Sequence, residues 1–142
     1  MAEELITPHS SLPVTLVFGS ANLGANSTAA ATIITGSAST TFDGILVPTG
    51  YTFFPLYMHV ESNADLTAGT CTAKVTANNT AILNGPEPAL SDTVQQASAV
   101  ARLTQCSGVA AGDFVGVHVI GASLAPTTAE MDVVLVGVFK RA

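Results

Sequence analysis

The chain has 142 residues, which suits one domain, and only 10% of them are charged while 48% are hydrophobic; soluble domains usually carry about a quarter charged residues. A net charge of −6 with four Lys and Arg residues argues against a nucleic-acid-binding surface, which needs clustered basic side chains. No apolar run approaches about 18 residues, and the acidic start "MAEELITPHSSLP" is unlike a signal peptide, so neither a spanning helix nor a leader is predicted.

The N-terminal residues are predicted to form an arm that precedes a single domain. Pro8 and Pro13 disfavour a helix, so residues 1–13 are interpreted as an extended arm and residues 14–142 as the domain. The first strand is predicted at 14–19, "VTLVFG". The run 29–37 has alanines that a helix accepts, but its β-branched centre, "TIIT", favours a strand.

The middle of the chain reads as a series of hairpins. Strands are predicted at 42–48 and 51–62, joined by a turn at Thr49-Gly50. Alternation of apolar and polar residues in "CTAKVTANNTAIL", 71–83, predicts another hairpin, with Asn78-Asn79 at its turn. The long connection 84–98 follows, in which Asp92 and Gln95 could cap one helical turn.

The last strands complete an all-β pattern. They are predicted at 99–106, 114–122 and 131–140. Short strands with regularly spaced turns, and no alternation with helices, predict an antiparallel β-sandwich of about eight strands. The long connection favours a jelly roll.

Three of these strands are apolar on both faces, which is unusual for the outer layer of a sandwich. They are the strands around 51–62, 114–120 and 133–139. The outer faces therefore need a cover, and another subunit is the expected one. The alternative is a lopsided monomer whose arm and long loop cover them.

Within the strand 51–62 the two faces are predicted to have different roles. The uniformly apolar set is expected in the core: Phe54, Leu56, Met58 and Val60. Interface residues often combine an apolar body with a polar edge, and this predicts contacts with a partner for Phe53, Tyr57 and His59. Pro55 offers no backbone donor, which suits an edge strand or a bulge.

The sequence contains no motif that indicates an enzyme. His59 and Glu61 could share a metal, but two ligands do not make a site, so no metal, cofactor or catalytic residue is predicted. Cys71 and Cys106 lie in strand-like stretches and fit buried free thiols of a protein made in a reducing cytoplasm, with a disulfide between them as the alternative.

Two stretches carry a resemblance to a known class of proteins. "AAGDFVGVHVIGA", followed by "PTTAEMDVVLVGVFKRA", resembles the final strands of jelly-roll domains in structural proteins of tailed phages. "FDGILVPTGYTFFPLYMHVESNADLTAGTCTAKVTANNTAIL" is similar to the middle of the same domains. The resemblance covers about residues 42–140.

Within that class, size and composition look most like a capsid decoration, or cement, protein. The resemblance implies a homo-oligomer, expected to be a trimer, that is made in the host cytoplasm, binds the major capsid protein on the outer surface of the virion and stabilises the shell, with no nucleic-acid or membrane partner. The arm residues Leu5, Ile6 and Leu12 are expected to clip onto a neighbour. The alternatives are a head-fibre or receptor-binding module and, from another class, a small carbohydrate-binding lectin or hydrolase.

Overall fold

The computed structural model describes residues 11–19, 27–33, 44–102 and 105–141, with the backbone alone for 27–33. In these ranges the secondary structure is entirely β, and no helix there could span a membrane. The strands are β1 (Ser11–Gly19), β2 (Ser27–Ile33), β3 (Ile45–Leu46), β4 (Tyr51–Ser62), β5 (Ala68–Ala77), β6 (Thr80–Ala81), β7 (Ala89–Ser91), β8 (Gln96–Val100), β9 (Phe114–Ala125) and β10 (Met131–Arg141).

The strands form two antiparallel layers joined by one shared strand. Sheet I has the order β1-β10-β4-β8, and sheet II has the order β2-β9-β5, with β3 also paired to β9 and both β6 and β7 paired to β5. β2 joins the layers because residues 27–31 pair with β9, while Thr32 and Ile33 pair with β1. This architecture confirms the predicted antiparallel β-sandwich of the jelly-roll type.

The core lies between the two sheets and follows the two-residue period of the strands. Alternate residues of the long strands are buried, so each sheet contributes one apolar face. The main contributions are Leu16 and Phe18 from β1, Met58 and Val60 from β4, Cys71, Ala73 and Val75 from β5, Val115, Val117 and Val119 from β9, and Met131, Val133 and Leu135 from β10.

A β-bulge in β4 corrects the predicted assignment of its two faces. Val136 of β10 pairs with Tyr57, but Gly137 pairs with Pro55, so Leu56 is an extra residue that has no partner in β10. An extra residue reverses the alternation. Met58 and Val60 are in the core as predicted, and Pro55 lies beside a bulge as predicted.

On the other side of the bulge the prediction was wrong. Phe53 was expected at an interface, but its side chain is 0% exposed and belongs to the core. Phe54 and Leu56, expected in the core, are only half-buried. The ring of Phe53 packs edge-on against Phe139, with the ring centres 5.5 Å apart. It also lies over Gly137, where a Cβ would overlap the ring.

The predicted hairpin turn is present. Asn78 and Asn79 have φ angles of 48° and 66°, the left-handed conformation that Asn tolerates better than most residues. The Asn78 side chain also ties this turn to the start of β9, because its Nδ2 donates to Asp113 Oδ1 (2.9 Å) and its Oδ1 accepts from the Phe114 amide (2.8 Å).

The connection 84–98 contains strands where a helical turn was expected. A tight turn follows β7, and the Gln95 side chain spans to Leu66, accepting from its amide at 2.8 Å and donating to its carbonyl oxygen at 3.3 Å. Gln95 Nε2 also donates to the Asp92 carbonyl oxygen at 3.0 Å, but the chain closes here as an antiparallel bridge between Ser91 and Val94. The prediction of a helical turn was therefore wrong. β8 then begins at Gln96.

Candidate interface on sheet I

The outward face of sheet I is a continuous surface because the register aligns side chains in rows across its four strands. One row runs Thr15, Val136, Tyr57, Val100, and the next runs Val17, Val134, His59, Ser98. Across the bulge, a shorter row joins Pro13, Val138 and Phe54. We call the surface formed by these three rows the valine face.

The valine face is apolar and open in the isolated chain. Tyr57 is 37% exposed and Val100 is 72% exposed, while the three outward valines of β10 are half-buried by their neighbours in the sheet. The polar boundary lies one row further along, at Asp132, Glu61 and Gln96. Sheet faces that meet water normally carry polar residues, so this surface has the composition of one that packs against protein.

A small polar cluster lies within the valine face. Ser98 Oγ is 2.9 Å from Tyr57 Oη and 2.8 Å from His59 Nδ1, and His59 Nε2 is 4.0 Å from Glu61 Oε2. His59 and Ser98 are opposite each other as a non-hydrogen-bonded pair of the antiparallel ladder. Side chains in such pairs lie closer together than those in hydrogen-bonded pairs, which makes the cluster possible. It fixes the orientation of the two β4 rings, which therefore present a defined surface to a partner.

The outward face of sheet II is different. Its central rows pair Thr72 with Ile120 and Lys74 with His118, and Lys74 Nζ lies 3.6 Å from Glu87 Oε1. The strand at 114–120 was predicted to be apolar on both faces, but on its outward face it lies beside polar residues of β5. Of the two outer faces, the valine face is the more apolar.

The predicted interface residues fall into three groups. Tyr57 and His59 are outward on the valine face, with His59 28% exposed. Leu12, 42% exposed, belongs to β1 rather than to an arm, because β1 begins at Ser11 and pairs with β10 from its first residue. Phe53 is in the core, and Leu5 and Ile6 lie outside the described residues. Sequence reasoning missed Ser98 and Val100, since only the register places β8 beside β4.

The polar cluster contains residue types that occur in catalytic sites. Ser98, His59 and Glu61 combine the residue types of a hydrolase triad, but the serine hydroxyl also bonds Tyr57 on a flat surface, and cavities of about 310 and 340 Å³ are lined by other residues. No group of three His, Cys, Asp or Glu side chains in the described ranges could hold a metal.

Both cysteines are buried and free. Burial raises the pKa of the Cys71 thiol to about 11, because the charged thiolate is disfavoured away from water. Cys71 is therefore an inert core residue rather than a nucleophile.

Comparison with known proteins shows a similarity of fold only. No protein-family model matches this chain, and no curated protein matches its sequence. The structure is similar to a chain of the acid-stable capsid of Helicobacter pylori bacteriophage KHP30, with a TM-score of 0.51, 8% identity and coverage of 89% of this chain and 87% of that chain. A Desmodium yellow mottle tymovirus chain aligns over 93% of this chain and 87% of its own length at 8% identity, with a TM-score of 0.38.

Proposed function

We propose that this chain is a non-enzymatic structural protein of a virion that packs against other protein subunits through the valine face. The observation that carries the proposal is the one-sided character of the sandwich. Sheet I presents rows of outward valines beside Tyr57 and the 72%-exposed Val100. Sheet II interrupts its apolar residues, such as Ile120 and the 50%-exposed Leu46, with Thr72 and Lys74. Covering apolar surface of this kind is favourable by about 25 cal/mol per Å².

Within that role we propose a capsid decoration protein. It would bind the major capsid protein on the outer surface of the shell as a trimer and stabilise the contacts between capsomers. The low charge of the chain suits a protein that works in contact with other protein, and a phage capsid chain with the same fold is consistent with a place in a virion. Residues 1–10, with Leu5 and Ile6, would extend the contact to a neighbour.

A head-fibre or receptor-binding module remains the second candidate, because the valine face also offers an aromatic side chain with a fixed hydroxyl. Tyr57 is the single exposed aromatic residue among the large exposed hydrophobic side chains of the described ranges. Sugar-binding sites usually stack their ligand on aromatic rings, and one ring makes a small platform. The decoration role therefore has the stronger support.

The test is a lysine placed in the middle of the valine face. Val136 is half-buried between Thr15 and Tyr57, so the aliphatic stem of a lysine can lie along the sheet while its charge reaches water. Val136→Lys should leave the fold intact and abolish both the trimer and binding to empty shells of the major capsid protein of the same virus. Thr72→Lys, on the outward face of sheet II, is the matched control and should change neither.

Two measurements separate the candidates: sedimentation velocity for the oligomer and co-sedimentation with shells for binding. A wild-type trimer that pellets with shells, and a Val136→Lys variant that does neither, would support the proposal. A wild-type chain that is monomeric, ignores shells and binds glycans on an array would replace it with the receptor-binding role.

A further inference from the structure

Among the described strands, β8 is an edge strand, and one row of its backbone groups has no partner in the described ranges. In sheet I it pairs with β4 on one side, and no strand of the described residues pairs with it on the other. Two hydrogen bonds show which groups are used: the Ser62 amide donates to the Gln95 carbonyl at 3.1 Å, and the Ala101 amide donates to the Leu56 carbonyl at 2.9 Å.

These two bonds settle the direction of every peptide group in β8. In an antiparallel ladder, alternate residues turn both backbone groups toward the neighbouring strand. Residues 95, 97, 99 and 101 therefore face β4, and the amides and carbonyls of Gln96, Ser98 and Val100 point away from the sheet. The free edge stops at Arg102, whose amide donates to the Asn84 carbonyl at 3.2 Å.

The strand itself carries none of the features that normally keep edge strands apart, and a charged side chain beside it, Glu87, lines a cavity next to Val100. Natural edges are blocked by charged side chains, proline or bulges, but β8 reads "QASAV" and its ladder with β4 is regular. Gln96, Ser98 and Val100 are all exposed. A row of free donors and acceptors on an uncharged strand is a template for another strand.

We propose that the β8 edges of two copies of this chain pair antiparallel about a two-fold axis through Ser98, which joins their two copies of sheet I into one continuous sheet. An isologous contact must be self-complementary, and this edge is. With Ser98 opposite Ser98, Gln96 of one copy lies opposite Val100 of the other, and all three outward residues of each copy find hydrogen-bond partners.

The charges at the two ends of the edge also favour a second copy over an unrelated strand. Arg102 lies just beyond one end of β8 and Asp92 lies in the turn before the other end, and both are exposed. Antiparallel pairing brings the Arg102 end of one copy to the Asp92 end of the other, twice by symmetry. A parallel arrangement would instead place like charges together.

The inference does not depend on shell binding, because it uses the backbone groups at the edge of sheet I rather than the side chains of the valine face. The pairing would extend the valine face across two copies, since the outward side chains of β8 belong to its rows. It adds a two-fold contact to the trimeric contact proposed above.

A cysteine at the two-fold axis tests the pairing directly. Ser98 and its counterpart would form a hydrogen-bonded pair with Cα atoms about 5.5 Å apart, inside the roughly 4.4–6.8 Å range of disulfides. Ser98→Cys should therefore give a covalent dimer on mild oxidation in the full-length protein. The native thiols do not compete, because Cys71 and Cys106 are buried.

Two cysteine variants test the register, and a proline variant tests the outward backbone groups. Gln96→Cys should not cross-link, because the two introduced thiols would be about four residues, or roughly 13 Å, apart along the strands; adding Val100→Cys to it should restore cross-linking. Gln96→Pro removes one outward amide and leaves the β4 ladder intact, so it should lower the dimer fraction in sedimentation without changing the melting temperature.

The outcomes are distinct from those for the valine face. A Ser98→Cys dimer that is lost when Gln96→Pro is added would establish the pairing whether or not shells are bound. No cross-link for a folded Ser98→Cys variant, equal cross-linking by Gln96→Cys alone, or a cross-link only to the capsid protein would each overturn it.

Discussion

Tyr57 and Met58 are adjacent in the chain but lie on opposite faces of β4, and they provide the sharpest comparison between folding and assembly. Met58 is 0% exposed within the core, so Met58→Ala removes buried contacts and leaves a cavity. Such substitutions cost about 2–5 kcal/mol in unfolding free energy. Tyr57→Ala removes a surface ring and its 2.9 Å hydrogen bond to Ser98, and a hydrogen bond contributes only about 0.5–1.5 kcal/mol.

The two variants should therefore separate in two assays. Urea unfolding at a fixed protein concentration should give a much lower unfolding free energy for Met58→Ala than for Tyr57→Ala, with similar m-values for both. Sedimentation velocity, at a temperature where both variants are folded, should show the reverse order: Tyr57→Ala loses the trimer and Met58→Ala keeps it. If Tyr57→Ala lowers the unfolding free energy as much as Met58→Ala and still assembles, the assignment of the two faces is wrong.

Two further predictions concern the core. Gly137→Ala should cost about 1–3 kcal/mol, because a Cβ there would overlap the Phe53 ring and would also lie 2.7 Å from the Phe54 carbonyl oxygen. Denaturant unfolding should show a smaller cost in a Phe53→Leu background, and an equal cost would mean that the backbone oxygen rather than the ring is the obstacle. The pKa of Cys71 is raised from 9.0 to about 11, so the folded state holds the thiol proton more tightly than the unfolded state. The contribution of this proton to the free energy of unfolding is complete below pH 9 and should fall by roughly 2–3 kcal/mol as the pH rises through 11. The Cys71→Ala variant should not show this decline. If the unfolding free energies of wild type and Cys71→Ala change in parallel with pH, the prediction is contradicted.

The strands were predictable because their signal is local. Residues 51–62 were predicted as one strand from composition and flanking turns, and β4 has those bounds. The Asn78-Asn79 turn was predictable for the same reason, since few residues other than Gly and Asn accept its backbone conformation.

The faces of β4 and the polar cluster could not be predicted because they depend on register. The bulge at Leu56 arises where β10 continues from Val136 to Gly137, and nothing in the sequence of β4 states which strand pairs with it. Ser98 and His59 are 39 positions apart, and only the alignment of β8 on β4 brings them together.

The position of β10 in sheet I has a consequence for how the protein is made. β10 pairs with β1 along one side and with β4 along the other, yet it follows every other described strand in the chain. During synthesis, β1 and β4 therefore leave the ribosome long before β10, the strand that pairs with both. Until β10 emerges, the edges that it will occupy are unpaired. Pairings so distant in sequence are slow to form, and incomplete chains with open edges aggregate. A nascent chain that stalls before Met131 should therefore need a chaperone, whereas emergence of β10 lets sheet I close in one late step.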